Sequence, residues 1–76
     1  MDRITKDTLN TRAANLNRRL RPNGVHVQVE YRNGSVALDE YRDTACIRTI
    51  TVGTKREVAE FLHAMMVGID LAREDV

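Results

Sequence analysis

The chain has 76 residues, a formal net charge of +1 and a single cysteine. That length suits one domain spanning residues 1–76, stable by roughly 4–11 kcal/mol at ~0.05–0.15 kcal/mol per residue. One cysteine excludes an internal disulfide framework and a four-cysteine zinc site. No apolar run approaches the ~18 residues of a membrane span, and none follows the charged start Met1-Asp2-Arg3-Ile4-Thr5-Lys6, so no membrane partner and a cytoplasmic location in the cell are expected. The charge is unevenly spread: residues 1–32 hold seven Lys/Arg against three Asp/Glu, whereas residues 33–76 hold five against eight.

The first helix is predicted over Lys6 to about Leu20. Thr5 is a favoured N-cap residue, and Ile4 and Leu9 have the spacing of a hydrophobic staple. Leu9, Ala13, Leu16 and Leu20 recur at steps of four, three and four, one helical stripe. Arg21-Pro22-Asn23-Gly24 ends the helix and turns the chain.

Val25, Val27, Val29 and Tyr31 alternate with His26, Gln28, Glu30 and Arg32, which predicts a strand with one buried and one wet face. Asn33-Gly34 is a two-residue hairpin signal, because both central positions of a type I′ turn need positive φ. The resulting register sets Tyr31 against Val36 and Val29 against Leu38, apolar pairs on one face. Continued, it would put Glu40 opposite Val27 on the core side. That conflict leads to a reading of Asp39-Glu40-Tyr41-Arg42-Asp43 as a frayed strand end and a solvated acidic loop. A third strand follows from about Ala45 to Val52, with Cys46, Arg48, Ile50 and Val52 expected on one face.

Thr54-Lys55-Arg56-Glu57 fits a capping box opening the second helix. Val58, Phe61, Leu62, Met65, Ile69 and Ala72 make its stripe, with Val67 exposed. Gly68 is expected to let the helix lie close to the sheet, and Glu74-Asp75-Val76 to fray. The predicted fold is α+β, a three-stranded antiparallel meander with two helices packed on one face, in the order α-β-β-β-α.

Catalysis finds no constellation. A nucleophile needs a base within hydrogen-bond reach; Cys46 reads as a small core residue, and the sheet is expected to separate His26 and His63 from each other and from Cys46. No phosphate loop or metal-ligand spacing is present, so neither an enzyme nor a cofactor is expected. Binding is the remaining class. Candidate contact residues are Arg12, Arg18, Arg19 and Arg21 on or after the first helix, Asp39, Glu40 and Asp43 in the acidic segment, and Lys55 and Arg56 opening the second helix. The basic residues could neutralise phosphates, and the acidic loop, the open sheet face or an edge strand could take a protein partner or a second copy of the chain.

The element order resembles that of double-stranded RNA-binding domains, which insert a histidine-bearing loop into the minor groove and grip phosphates from a Lys-rich helix start. Here that loop is only Asn33-Gly34, and Lys55 and Arg56 are followed by Glu57 and Glu60, so the likeness is topological. A second resemblance covers most of the chain. Ile4-Thr5-Lys6 leading to Asn15-Leu16-Asn17-Arg18, the hairpin from Val29 to Leu38, and Thr54-Lys55-Arg56-Glu57-Val58 through Phe61-Leu62 to Gly68-Ile69 together resemble small proteins of bacteriophages and prophages. The resemblance implies a mobile-element origin, a bacterial host cytoplasm, and inhibition of a host defence complex, as anti-CRISPR proteins do, by occupying a protein surface. At +1 the chain departs from the strongly acidic DNA mimics of that class.

Overall fold

A computed structural model describes residues 3–74. Expectations that fall on Met1, Asp2, Asp75 and Val76 lie outside the described residues. Helix α1 spans Lys6–Leu20, strand β1 Val25–Arg32, β2 Ser35–Arg42, β3 Ala45–Gly53 and helix α2 Lys55–Glu74, with a 3-10 turn at Arg21–Asn23 between α1 and β1. The sheet is an antiparallel meander in the order β1-β2-β3. Both helices pack on one of its faces, so the predicted class and topology hold.

Local chemistry explains each boundary. The Thr5 hydroxyl accepts the Thr8 N–H at 3.2 Å and opens α1. Gly24, at φ 72, reverses the chain after Pro22. Asn33 and Gly34 take φ 49 and 83, the left-handed pair of the hairpin turn. Thr54 Oγ1 accepts from the Glu57 N–H at 3.1 Å while Glu57 Oε1 accepts from the Thr54 N–H at 2.8 Å, which completes the capping box of α2.

The core is one cluster of Leu9, Ala13, Leu16, Val27, Val36, Leu38, Val58, Ala59 and Leu62, with Ile4, Leu20, Val29, Ile50, Met65 and Ile69 packed around it. Polar contacts lock the elements. Arg12 Nη1 donates to the Ala59 carbonyl at 2.9 Å. Arg19 holds Asp70 through two bonds of 2.8 and 3.1 Å. Arg73 Nη2 donates at 2.7 Å to the Arg19 carbonyl, one of the carbonyls that a helix end leaves without an intrahelical partner. On the other side of α1, the Asn17 amide meets β1: Nδ2 donates to the Val27 carbonyl at 3.0 Å and Oδ1 accepts the Val27 N–H at 2.7 Å. In this register the Val27 backbone points away from β2, so Asn17 occupies part of the outer edge of β1.

Several expectations are corrected. The acidic segment is neither frayed nor a solvated loop. β2 runs to Arg42 with the register unbroken against β1, pairing Glu40 with Val27 and Tyr41 with His26. Asp39 and Glu40 are buried, and the turn is reduced to Asp43-Thr44, with Asp43 at φ 56. The core side tolerates Glu40 because Arg48 Nε lies 2.7 Å from Oε1 and Arg42 Nε 3.8 Å from Oε2.

In β3 the register against β2 shifts twice, between Leu38 and Asp39 and between Glu40 and Tyr41. Each shift leaves one extra residue on β3, first Ile50 and then Ile47. A bulge moves the following side chains to the opposite face. Cys46, Thr49 and Val52 therefore share one face, and Arg48 and Thr51 the other. Cys46 is exposed rather than in the core. Tyr31 and Phe61 sit at the rim, 41% and 36% exposed, with the Lys6 ammonium 4.8 Å above the Tyr31 ring. Ala72 is exposed. Gly68 does not allow a close approach to the sheet, since a Cβ there would meet nothing within 4 Å.

Candidate protein-binding surface

The sheet face away from the helices carries no layer of structure among the described residues. Antiparallel pairing places opposite residues on the same face, so the register writes this surface out in rows. They are His26–Tyr41–Cys46, then Gln28–Asp39–Thr49, then Glu30–Ala37–Val52, then Arg32–Ser35.

At one end the His26 and Tyr41 rings stack, with centroids 5.2 Å apart and planes 14° from parallel, and Gln28 Nε2 lies 3.3 Å from His26 Nε2. Burial, and then the neighbouring Cys46, hold the Tyr41 hydroxyl above its ordinary pKa. In the middle the Asp39 carboxylate is 1% exposed. It accepts from Arg32 Nη2 and from Thr49 Oγ1, both at 2.7 Å. Charge-assisted bonds of this length fix three strands' side chains in one arrangement. Among the described residues no buried side-chain polar atom lacks a partner. At the far end Val52 is 59% exposed above the buried Ala37. The face is thus an ordered plane, with an aromatic pair at one end, an ion-paired centre and an exposed apolar side chain.

The predicted contact residues do not converge on it. Arg12 and Arg19 tie α1 to α2, and Arg18 bonds Asn15 at 2.7 Å. Arg21 and Asp43 come together with His26 around a shallow cavity of about 280 Å³ at one end of the molecule. Glu40 belongs to the core side, and Lys55 and Arg56 to the exposed first turn of α2. Only Asp39 of that set lies on the open face.

Three residues of the face, Tyr41, Cys46 and Val52, escaped sequence reasoning. Continuing the hairpin register past Asp39 would have found Tyr41 opposite His26. The other two depend on bulges, which leave no mark in a one-strand pattern. Cys46 and His26 share the face, contrary to the expectation that the sheet separates them. They stand two strand spacings apart, about 10 Å, with Tyr41 between them, beyond the hydrogen-bond reach of a nucleophile and base. Among the described residues no group of three His, Cys, Asp or Glu could hold a metal ion, and no helix is long and apolar enough to cross a membrane. No known family model, curated protein or solved structure matches this chain.

Proposed function

We propose that the chain is a non-enzymatic protein-binding module that engages its partner through the uncovered sheet face. The observation that carries the proposal is the buried Asp39 carboxylate held by the exposed Arg32 and Thr49 on a face with no covering layer. A solvated face needs no such fixed arrangement. A binding face gains from one, because side chains already ordered lose less freedom on association. An aromatic pair beside a polar centre also fits the composition of interface hot spots, which favour Tyr and Arg.

The resemblance to small phage proteins supports a more specific reading: the partner is a host defence complex, such as a CRISPR effector, inhibited by occupation of a protein surface. The engagement of Arg12 and Arg19 inside the fold favours this over direct nucleic-acid binding. The test is retrieval of partners by the tagged chain from host lysate, with and without nuclease, beside Tyr41→Ala and Gln28→Ala variants. A nuclease-resistant partner lost in both variants is the expected result. Loss of every partner on nuclease treatment would overturn the reading and move the case to Arg18 and Arg21.

A further inference from the structure

The two edges of the sheet are unlike. On β1 the outward backbone of Val27 is taken by Asn17. On β3, among the described residues, no side chain does the same. β3 reads Ala45-Cys46-Ile47-Arg48-Thr49-Ile50-Thr51-Val52-Gly53, with one charge in nine residues, and Ile47 and Val52 are 51% and 59% exposed. Two bulges and Arg48 blunt this edge in part, but its open backbone and exposed Ile47 and Val52 still offer a place for another strand.

The bulges of β3 space Cys46, Thr49 and Val52 three apart on one face. A copy of β3 running antiparallel about Thr49 carries the same spacing in reverse. Thr49 then meets Thr49, Cys46 meets Val52, and Arg48 meets Ile50, so no like charges are opposed.

Helix α2 points to the same axis. It packs over β2 and β3 alike, about one strand spacing from the midline of a β3–β3 pair. Two copies would set their α2 axes about 10 Å apart, within the usual helix packing distance. Met65, Arg48 and Ile50 line one cavity, which puts the Met65 level of α2 over Thr49. Around that level the side of α2 away from α1 carries Phe61, Ala64, Gly68 and Leu71, all exposed. A two-fold axis there sets Phe61 over Gly68 of the second copy. Within one chain a Cβ at Gly68 would meet nothing within 4 Å, although a mid-helix glycine costs about 1 kcal/mol relative to Ala. The strand edge, about 30 Å long, times the 17 Å thickness of the molecule gives roughly 500 Å² in projection, before side-chain relief, against ~800 Å² per partner in a stable interface.

We propose that the chain forms a two-fold symmetric dimer in which β3 pairs with β3 and α2 packs against α2, closing a six-stranded sheet. The dimer does not depend on the partner reading above. It would place two open faces side by side in one continuous plane, a bivalent surface.

Sedimentation from about 1 to 200 μM, a range that brackets micromolar affinity, tests the proposal on the full chain. Wild type should sediment at twice the chain mass with a concentration-dependent monomer fraction. Ile47→Lys puts a charge on the edge, and Gly68→Gln fills the space that Phe61 would enter; each should weaken association at least tenfold. Gly68→Gln should also raise the melting temperature of the monomer, since it removes a helix glycine, so weaker association could not come from unfolding. If Ile47→Lys fails to fold, the glycine variant decides alone. A monomer throughout the range overturns the proposal, as does a dimer indifferent to Gly68→Gln. Tyr41→Ala should leave the dimer intact, which separates this surface from the open face.

Discussion

Asn17 is the most economical place to test how the fold is held. Its amide makes two bonds to one residue of a neighbouring strand, 2.7 and 3.0 Å long. Each such bond contributes about 0.5–1.5 kcal/mol net, so Asn17→Ala should lose about 1–3 kcal/mol from this source. Alanine is also a better helix former, which offsets part of the loss. Asn10→Ala is the matched control: the residue is exposed in the same helix and its side chain bonds nothing among the described residues. The propensity gain cancels between the two variants, and their difference isolates the amide. A difference near 2 kcal/mol would separate the melting temperatures by roughly 8–16 °C in a domain of this size.

Thermal or urea unfolding of both variants measures this difference, and amide hydrogen exchange locates it. Exchange at the Val27 N–H should accelerate in Asn17→Ala and stay unchanged in Asn10→Ala. Equal stabilities within ~0.5 kcal/mol, near the limit to which such differences are resolved, would refute the argument. So would unaltered protection at Val27. Either result would mean that β1 is held by its apolar face alone.

Arg32→Ala should destabilise the fold by about 1–3 kcal/mol, because it leaves the buried Asp39 carboxylate with the Thr49 hydroxyl alone; urea unfolding beside a Gln28→Ala control reads this. Two glycine substitutions should have opposite signs. Gly34→Ala forces a side chain into φ 83 and should cost about 1 kcal/mol or more, whereas Gly68→Ala should stabilise the monomer by about 1 kcal/mol, both read from denaturation midpoints. The pH dependence follows from Asp70. Its pKa lies below 3.8, first because of the Arg19 hydrogen bond and then the charges of Arg19 and Arg73, with burial opposing. A carboxylate whose pKa is lowered on folding stabilises the fold above its unfolded pKa and loses that contribution as pH falls through the folded value. Asp70→Asn should therefore lower stability at neutral pH and flatten the acid limb of the pH profile; an unchanged profile would show the pair to be inert. At alkaline pH the raised Tyr31 and Tyr41 pKa values have the opposite sign, so stability should fall as pH rises beyond about 10.

The architecture was legible wherever a single element carries its own signal. Thr5, the Thr54–Glu57 box, the Asn33–Gly34 turn and the valines of β1 each act within a few residues, and each appears as expected. The misreadings at Asp39 and Glu40 share a cause. Both carboxylates are neutralised from another strand or across the hairpin: Glu40 by Arg48, and Asp39 by Arg32 and Thr49. Read along one strand, each is a charge in the wrong place. Tyr31 and Phe61 were misplaced for a related reason: periodicity gives a direction, but the depth of burial depends on how far the two helices extend over the sheet, and residues 45–49 of β3 stay exposed beside α2. Cys46 was misplaced because the bulges of β3 turn it to the open face.

That uneven cover connects the misplaced residues to the proposed surfaces. Two helices over three strands leave one flank short, and the chain treats its two edges differently. At β1 an asparagine from α1 stands in for a neighbouring strand, which suits an edge meant to stay unpaired. At β3 the backbone is open, Ile47 and Val52 are exposed, and the adjacent helix leaves Phe61 and Gly68 exposed. A domain this small buries only about 60% of the surface its unfolded chain exposes, so a second copy covering the flank would add core that a single chain cannot build. The open sheet face remains outside that interface, its side chains already fixed by the Asp39 network, available to a partner whether the chain acts alone or in pairs.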